Sequence, residues 1–368
     1  MSGKVYVRPV GLAESPQTFD GATLRLGSSL VWCHLLAIEI FDADKLTAWQ
    51  IVPVDGFADA LGTLPADQAE RARVQFANLS RQHPPLALGE RVLRFDQPQV
   101  MGILNVTPDS FSDGGRFTDN PAAAADAGFA MLTAGASLID IGGESTRPDA
   151  PVVWEGDEIA RVVPAIKALA HSGAILSVDS RKAAVMEAAL QAGAHIVNDV
   201  SALLFDSRAL DVVRAAGCPV VLMHAPSQGQ NPHTGAGYGN VVTDVFDWLE
   251  ARIAAVMKAG IARDRILVDP GIGFGKSLAD NLALINALPL FHALGQPILF
   301  GASRKRMIGA LSNEAPVDAR LGGSLALALS AISSGAQIVR VHDVPETVQA
   351  ARVWRGLRDA ALTMPGLG

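Results

Sequence analysis

The chain has 368 residues, 49% of them hydrophobic and 18% charged, so it can bury a large core and is not a disordered polypeptide. A net charge of −7 argues against a broad nucleic-acid surface, while leaving room for a local basic pocket. The only cysteines, Cys33 and Cys218, cannot build a disulfide framework, and Cys218, entering an apolar run before Pro219, reads as a buried inert thiol. No basic segment followed by an apolar core marks a signal peptide, and the apolar stretch Ser29 to Phe41 is too short to span a bilayer. The expectation is a soluble cytoplasmic protein with no membrane or nucleic-acid partner.

In chain order, residues 1–88 read as a small α+β extension of unassigned role. Val5–Pro9, Ala22–Leu26, Val31–Ile40 and Thr47–Val54 are predicted strands, and Ala66–Gln82 a helix. The pair Pro84-Pro85 marks a boundary, and Glu90–Phe95 a short lead-in strand. From about Gln97 a new pattern repeats: an apolar run, a polar cluster, then an amphipathic helix. The runs are Val100–Val106, Leu138–Ile141, Ile175–Val178, His195–Val197, Val220–Met223, Ile266–Val268, Ile298–Phe300 and Ile338–Val341. Between and after them, helices are predicted over Asn120–Ala134, Gly156–His171, Arg181–Ala192, Asp206–Ala216, Val241–Ala259, Leu278–Leu288, Val317–Ser334 and Pro345–Ala361. Glycines 135, 173, 193, 217, 260 and 335 stand where helices must close before the next strand. Continuous apolar strands alternating with helices require a parallel sheet covered on both sides. Eight such units over residues 89–368 predict a (β/α)8 TIM barrel.

In that fold, chemistry sits where each strand runs into its following loop. Those positions hold Asn105, Asp140 with Glu144, Asp179, Asn198 and Asp199, His224, Asp269, Ser303-Arg304-Lys305, and Arg340 with His342 and Asp343. Any one of them could be an ordinary helix cap. Polar residues ending all eight strands together point instead to a site. Two long polar loops, NVTPDSFSDGG from Asn105 and IGGESTRPD from Ile141, suit mobile lids over it.

Strand three ends in VDSRK, strand four in VND, strand six in VDPGIGFGKS, strand seven in GASRKRMIG and strand eight in RVHD. With the two loops, these motifs resemble the dihydropteroate synthases over roughly Val100 to Arg358. The resemblance implies condensation of 6-hydroxymethyl-7,8-dihydropterin pyrophosphate with p-aminobenzoate, releasing pyrophosphate. It implies that Asp179, Asn198, Asp269 and Lys305 bind the pterin ring, beside Met223, Phe274 and Gly301. Carboxylate and carboxamide partners suit the donor and acceptor edge of a pterin. It further implies Asn105, Thr146, Arg147, Arg340 and His342 around the pyrophosphate, with Asn105 at a Mg2+ position. Phe111 and Pro148, with Arg147, would wall the p-aminobenzoate pocket. Ser303 and Arg304, at a helix start, would take its carboxylate. Asp179, Lys305 and Arg147 would carry catalysis, and no strong general base is needed for a neutral aryl amine. The family also implies a homodimer, and competitive inhibition by sulfonamides.

The chain departs from the family pattern at Asp149, at Ser180 and in the strand-five loop MHAPSQGQNPHTG, where only Met223 and His224 match. PGIGFGKS superficially resembles a phosphate loop, but Pro270 stands where that pattern needs Gly, and Lys276 reads as structural. His171, His195, His233 and His292 have no partner pattern and read as surface or loop residues. Two other readings compete: a pterin-binding methyltransferase barrel linked to a corrinoid, and a catalytically inactive pterin-binding paralogue. The Thr146-Arg147, Ser303–Lys305 and Arg340–His342 groups discriminate against the first, the intact loop motifs against the second. For residues 1–88, three roles stay open: covering the barrel floor, extending a dimer interface, or contacting another enzyme.

Overall fold

The computed structural model describes residues 3–107, 121–147, 150–227, 229–235 and 237–363. The extension forms β1 (Lys4–Ala13), β2 (Leu24–Arg25), β3 (Trp32–Asp42) and β4 (Lys45–Pro53), then α1 (Phe57–Leu61) and α2 (Ala66–Leu79). β3 is central and pairs antiparallel with β1 on one edge and with β2 and β4 on the other. A hairpin of β5 (Leu86–Leu88) and β6 (Arg91–Leu93) follows. The barrel strands are β7 (Gln99–Asn105), β8 (Leu138–Gly142), β9 (Ile175–Asp179), β10 (Ile196–Asp199), β11 (Val220–Met223), β12 (Ile266–Asp269), β13 (Leu299–Phe300) and β14 (Ile338–Val341). Around them lie α3 (Pro121–Ala134), α4 (Glu155–Leu169), α5 (Ala183–Ala192), α6 (Ala209–Ala216), α7 (Val241–Lys258), α8 (Leu278–Asn286), α9 (Arg306–Leu311), α10 (Leu321–Ser333) and α11 (Val344–Thr363).

The eight strands pair in parallel in the order β12-β11-β10-β9-β8-β7-β14-β13, and a bridge from Val268 to Ile298 brings β12 back to β13. This is the expected TIM barrel. Every glycine predicted to close a helix has positive φ, as at Gly193 (φ 114) and Gly217 (φ 61), so the local signal and the tertiary fold agree. The short α9 was not expected; it begins within the strand-seven motif itself.

The hairpin has a definite place. Leu86, Leu88, Leu93 and Phe95 form one buried cluster with Met101, Leu138, Ile175, Ile196, Val221, Leu267, Leu299 and Ile338, one residue from each barrel strand. It plugs the barrel floor, opposite the strand ends that carry the polar residues. The boundary drawn at 88/89 falls in its turn, where Gly89 has φ 63.

The rest of the extension docks on the barrel flank. Arg71 of α2 pairs with Asp247 and Glu250 of α7, at 3.1 and 2.8 Å. The Tyr6 hydroxyl donates to the Asp247 carboxylate at 2.9 Å, and its ring meets Phe246 edge-on at 5.6 Å. Such aromatic contacts add about 1 kcal/mol beyond the area they bury. Gln75, itself buried, ties α2 to β1 through Val7 N–H and Val5 C=O, at 2.8 and 3.0 Å. Extension and barrel thus share one continuous apolar core. Cys33 and Cys218 are both buried thiols, pushed up to about 12 and about 11 by burial.

Candidate active site

Register aligns the strand ends. Asn105 lies opposite Gly142, Gly142 opposite Asp179, and Asp179 opposite Asn198, so one level of the barrel carries three polar side chains from β7, β9 and β10. Above this level opens a cavity of about 1120 Å³, lined among others by Asn105, Thr146, Arg147, Asp179, Phe274, Ser303, Arg304, Lys305, Arg340 and His342. Asn198, Met223 and Asp269 are buried beneath it. Gly301 packs in the same layer: a Cβ there would lie 3.7 Å from the Arg340 Cβ and 4.0 Å from an Asp269 carboxylate oxygen. The structure therefore brings together every predicted site residue that it describes. Phe111, Pro148 and Asp149 lie outside the described residues.

The centre of the site is a charge network that the sequence did not disclose. Arg340 donates through Nε to Asp140 and through Nη2 to Asp179, both at 2.6 Å. The same Asp140 oxygen accepts Asn198 Nδ2 at 3.0 Å, and the other Asp140 oxygen is buried without a partner. A fully buried carboxylate needs a neighbouring cation, and Arg340 supplies it. The guanidinium of Arg340, which also lines the cavity, is held by two carboxylates and orients Asp179. Burial works against its cationic form, but Asp140 and Asp179 outweigh burial and raise it above the ordinary arginine value. Burial raises Asp179 to about 7 against the pull of Arg340, and the charges of Asp140, Glu158 and Asp199 push the same way.

Loop six is built around its own lysine. Lys276 Nζ donates to Gly271 C=O at 2.8 Å and lies 3.1 Å from His224 Nδ1, and burial lowers it to about 7. Its ammonium serves carbonyls of its own loop, those of Gly271 and Phe274. Gly271 (φ 70) is obligatory here, because a Cβ would sit 1.9 Å from the His224 carbonyl. Asp269 accepts Gly271 N–H at 2.7 Å, and burial raises its carboxyl against the attraction of Lys305. Lys305 donates to the Ile272 carbonyl, stands 4.7 Å from the Phe274 ring centroid, and is lowered by burial to about 8. Phe274 packs on Val200, Met223 and Ala225, giving the ring site an apolar wall.

Ser303 and Arg304, both on the cavity wall, also have partners within the protein. Arg304, at φ 56, makes a two-pronged pair with Asp343, its Nε donating at 3.1 Å, so its guanidinium is not simply presented to a ligand carboxylate. Ser303 Oγ accepts His342 N–H at 3.1 Å and lies 3.1 Å from His342 Nδ1. Burial and the adjacent Arg340 lower His342 to about 3, so it faces the cavity as a neutral hydrogen-bonding ring. The helix that follows, α9, has only six residues, so any dipole contribution is small.

Behind loop two lies an ionic cluster. Lys182 Nζ bridges Glu144 and Glu158 at 2.7 and 2.6 Å, and Arg181 reaches Glu144 at 3.2 Å. It fixes the root of the loop that carries Thr146 and Arg147. VDSRK was read for Asp179, and its two basic residues passed unnoticed. His233, which reads as a surface or loop residue in the sequence, lies in the loop between β11 and α7 and reaches the site. It lines the cavity, its Nε2 lies 2.8 Å from the Thr146 carbonyl, and its ring stacks on Phe274 at 5.0 Å. His195 and His292 are likewise engaged, with backbone groups of Leu176 and Ser334.

Among the described residues, no three His, Cys, Asp or Glu side chains converge as a metal cage. Asn105 offers one carboxamide oxygen on the cavity wall. That donor set fits a Mg2+ that arrives on pyrophosphate, since Mg2+ keeps several waters and takes few protein oxygens beside substrate phosphates. Among the described residues, no helix is long and apolar enough to cross a membrane.

A closed barrel with buried carboxylates at the strand ends beneath a polar cavity suits an enzyme that holds a flat, hydrogen-bonding heterocycle. Residues 101–342 match the pterin binding enzyme family. The chain is 45% identical to the dihydropteroate synthase of Escherichia coli K12 over 262 residues, 71% of this chain and 92% of that protein. The solved Xanthomonas albilineans dihydropteroate synthase with 4-aminobenzoic acid superposes at a TM-score of 0.71 and 46% identity, covering 77% of this chain and all of that one. The same enzyme in complex with 7,8-dihydropteroate gives 0.68 and 44% over the same 77% share, again covering 100% of that chain. The chain belongs to the pterin-binding enzymes and, within them, to the dihydropteroate synthases.

Proposed function

We infer that this chain condenses 6-hydroxymethyl-7,8-dihydropterin pyrophosphate with p-aminobenzoate to 7,8-dihydropteroate and pyrophosphate, a transferase step of folate biosynthesis. The observation that carries the reading is that Asp179 and Lys305 line one cavity with Thr146, Arg147 and His342, while Asn198, opposite Asp179 in register, and Asp269, beside Lys305, are buried next to them. The ring edge pairs with Asp179, Asn198 and Asp269, and Lys305 donates to a ring acceptor. A pterin lacking these partners would leave buried polar groups unpaired, a penalty of about 1–3 kcal/mol each.

The bond from the pterin methylene to pyrophosphate oxygen breaks, and its electron pair leaves with the pyrophosphate. Positive charge builds on the methylene and the conjugated ring, where the Asp179 carboxylate, aimed by Arg340, stabilises it. Thr146, Arg147 and His342 hold the leaving anion. Asn105 would hold a Mg2+ that arrives on the pyrophosphate, and the cation would supply charge neutralisation for the leaving anion. The aryl amine attacks the methylene, a carbon–nitrogen bond forms, and the amine proton passes to solvent. Ser303 and Arg304, both on the cavity wall, set the aryl carboxylate. Loop closure excludes water that would otherwise trap the cation.

The test is product formation by the purified chain from the two substrates. Dihydropteroate appears in the presence of Mg2+, and chelation by EDTA abolishes the rate until Mg2+ is restored. Pterin binding without product would favour an inactive paralogue, and methylation of a corrinoid from methyltetrahydrofolate would favour the methyltransferase. The same reading assigns a homodimer in the cytoplasm, checked by mass in solution and by fractionation.

A further inference from the structure

We propose that His233, from the segment between β11 and α7, is a positioning residue that ties loop two to loop six and so sets the leaving-group side of the cavity against the ring side. The inference rests on reading the cavity as the condensation site. The imidazole lies flat on Phe274, with ring centroids 5.0 Å apart and planes 11° apart. Its Nε2 is 2.8 Å from the backbone carbonyl of Thr146, and Gly275 N–H donates to Nδ1 at 3.3 Å. These partners assign the tautomer: Nδ1 carries the lone pair and Nε2 the proton, because a carbonyl can only accept and an amide N–H only donate.

One ring therefore joins two loops that share no strand. Thr146 is followed directly by Arg147 on the leaving-group side. Phe274 and Gly275 belong to the loop whose Ile272 carbonyl holds Lys305 on the ring side. His233 has local backbone support. Its N–H donates to Asn231 Oδ1 at 2.9 Å, and the Thr234 hydroxyl donates to the Asn231 carbonyl at 2.9 Å. The approach between loops five and six is close enough that a Cβ at Gly275 would lie 2.7 Å from the His233 carbonyl and 2.4 Å from Pro226. The reacting carbon, amine and leaving oxygen must line up within a few tenths of an ångström. A displacement of about 1 Å costs roughly 100-fold in rate. The latch acts on that alignment, not on affinity for the ring.

The experiment uses the full chain with His233→Ala, His233→Gln and His233→Asn. Glutamine can present an N–H toward Thr146 at the reach of Nε2, whereas asparagine can replace only the acceptor that meets Gly275. Steady-state rates are measured with both substrates, and calorimetry gives the Kd of a pterin without pyrophosphate. His233→Ala is expected to lower kcat about 10- to 100-fold and to raise KM for the pyrophosphate substrate. The Kd for the plain pterin should stay within about twofold, since none of the groups assigned to the ring is itself replaced. His233→Gln should recover most of the lost kcat and His233→Asn little. Unchanged kinetics in His233→Ala, equal recovery by Asn and Gln, or a Kd for plain pterin that weakens in step with kcat would each overturn the proposal. A wild-type chain that forms no dihydropteroate overturns the condensation reading and this inference with it. An active wild type with an unaltered alanine variant overturns the inference alone.

Discussion

Asp140→Asn tests the charge network where the structure is most explicit. The substitution keeps shape and leaves an acceptor for Arg340 and Asn198, but removes one of the two negative charges gripping the guanidinium. The charge of Asp140 is one of the causes that hold Asp179 up, at about 7 against an ordinary 3.8, after the larger effect of burial. Unit charges in an effective dielectric of about 20 still interact by about 1.4 kcal/mol at roughly 12 Å. Two carboxylates bridged by one guanidinium are much closer than that. Removing Asp140 should therefore lower Asp179 by at least about one pH unit, since one unit is about 1.4 kcal/mol. Because the ionised Asp179 stabilises the developing cation, kcat/KM in the wild type should rise with pH through a limb near 7. In Asp140→Asn that limb should move to lower pH by about a unit or more. The assay is the pH profile of kcat/KM for the pterin pyrophosphate, with folding checked by circular dichroism. A limb that stays in place, or moves upward, refutes the account of Asp140 as the partner charge. Stability carries the matching sign. A raised Asp179 takes up its proton in the folded state first, so its cost to folding is present above about 7 and fades as pH falls toward 4. The Asp140→Asn protein should lose part of that pH dependence in urea unfolding.

Lys305→Met keeps most of the side-chain volume but removes the ammonium beside Phe274 and Asp269; steady-state kinetics should show kcat/KM lower by about 100-fold or more, as for loss of a preorganised electrostatic group. Glu158→Gln leaves Lys182 with one carboxylate in a buried setting, and urea unfolding should show a loss of about 3 kcal/mol, the scale of a broken buried pair. Leu93→Ala opens a hole in the floor plug, where Leu93 is buried. Calorimetry should show about 2–5 kcal/mol lost, while KM values for both substrates, bound at the opposite end of the barrel, stay unchanged.

What could be read without the structure was whatever is written locally. Eight apolar runs, each closed by a polar cluster, specify parallel strands, because only a sheet buried on both faces tolerates such runs. The glycines after the helices marked their ends, since a left-handed residue is a local need. Asp179, Asn198, Asp269 and Lys305 were legible for the same reason: each ends a strand or opens the loop after it, and the fold dictates which end faces the ligand. The sequence could not say which of these groups hold one another. Asp140 and Arg340 lie 200 residues apart, and only closure of the barrel sets them 2.6 Å from each other. That contact lets a residue expected at the pyrophosphate also aim Asp179. His233 carries no motif at all. Its meaning comes from Thr146 and Phe274, brought to it by two other strands. Glu90–Phe95 reads in the sequence as a lead-in strand; the structure pairs Leu86–Leu88 with Arg91–Leu93 as a hairpin on the barrel floor, where the eight strands converge on it. The sequence by itself determined the elements and the chemistry of each strand end, since both follow from periodicity and residue type. Tertiary structure alone decided the pairing of charges, the latch between loops and the plug beneath them, because each depends on distances between residues far apart along the chain.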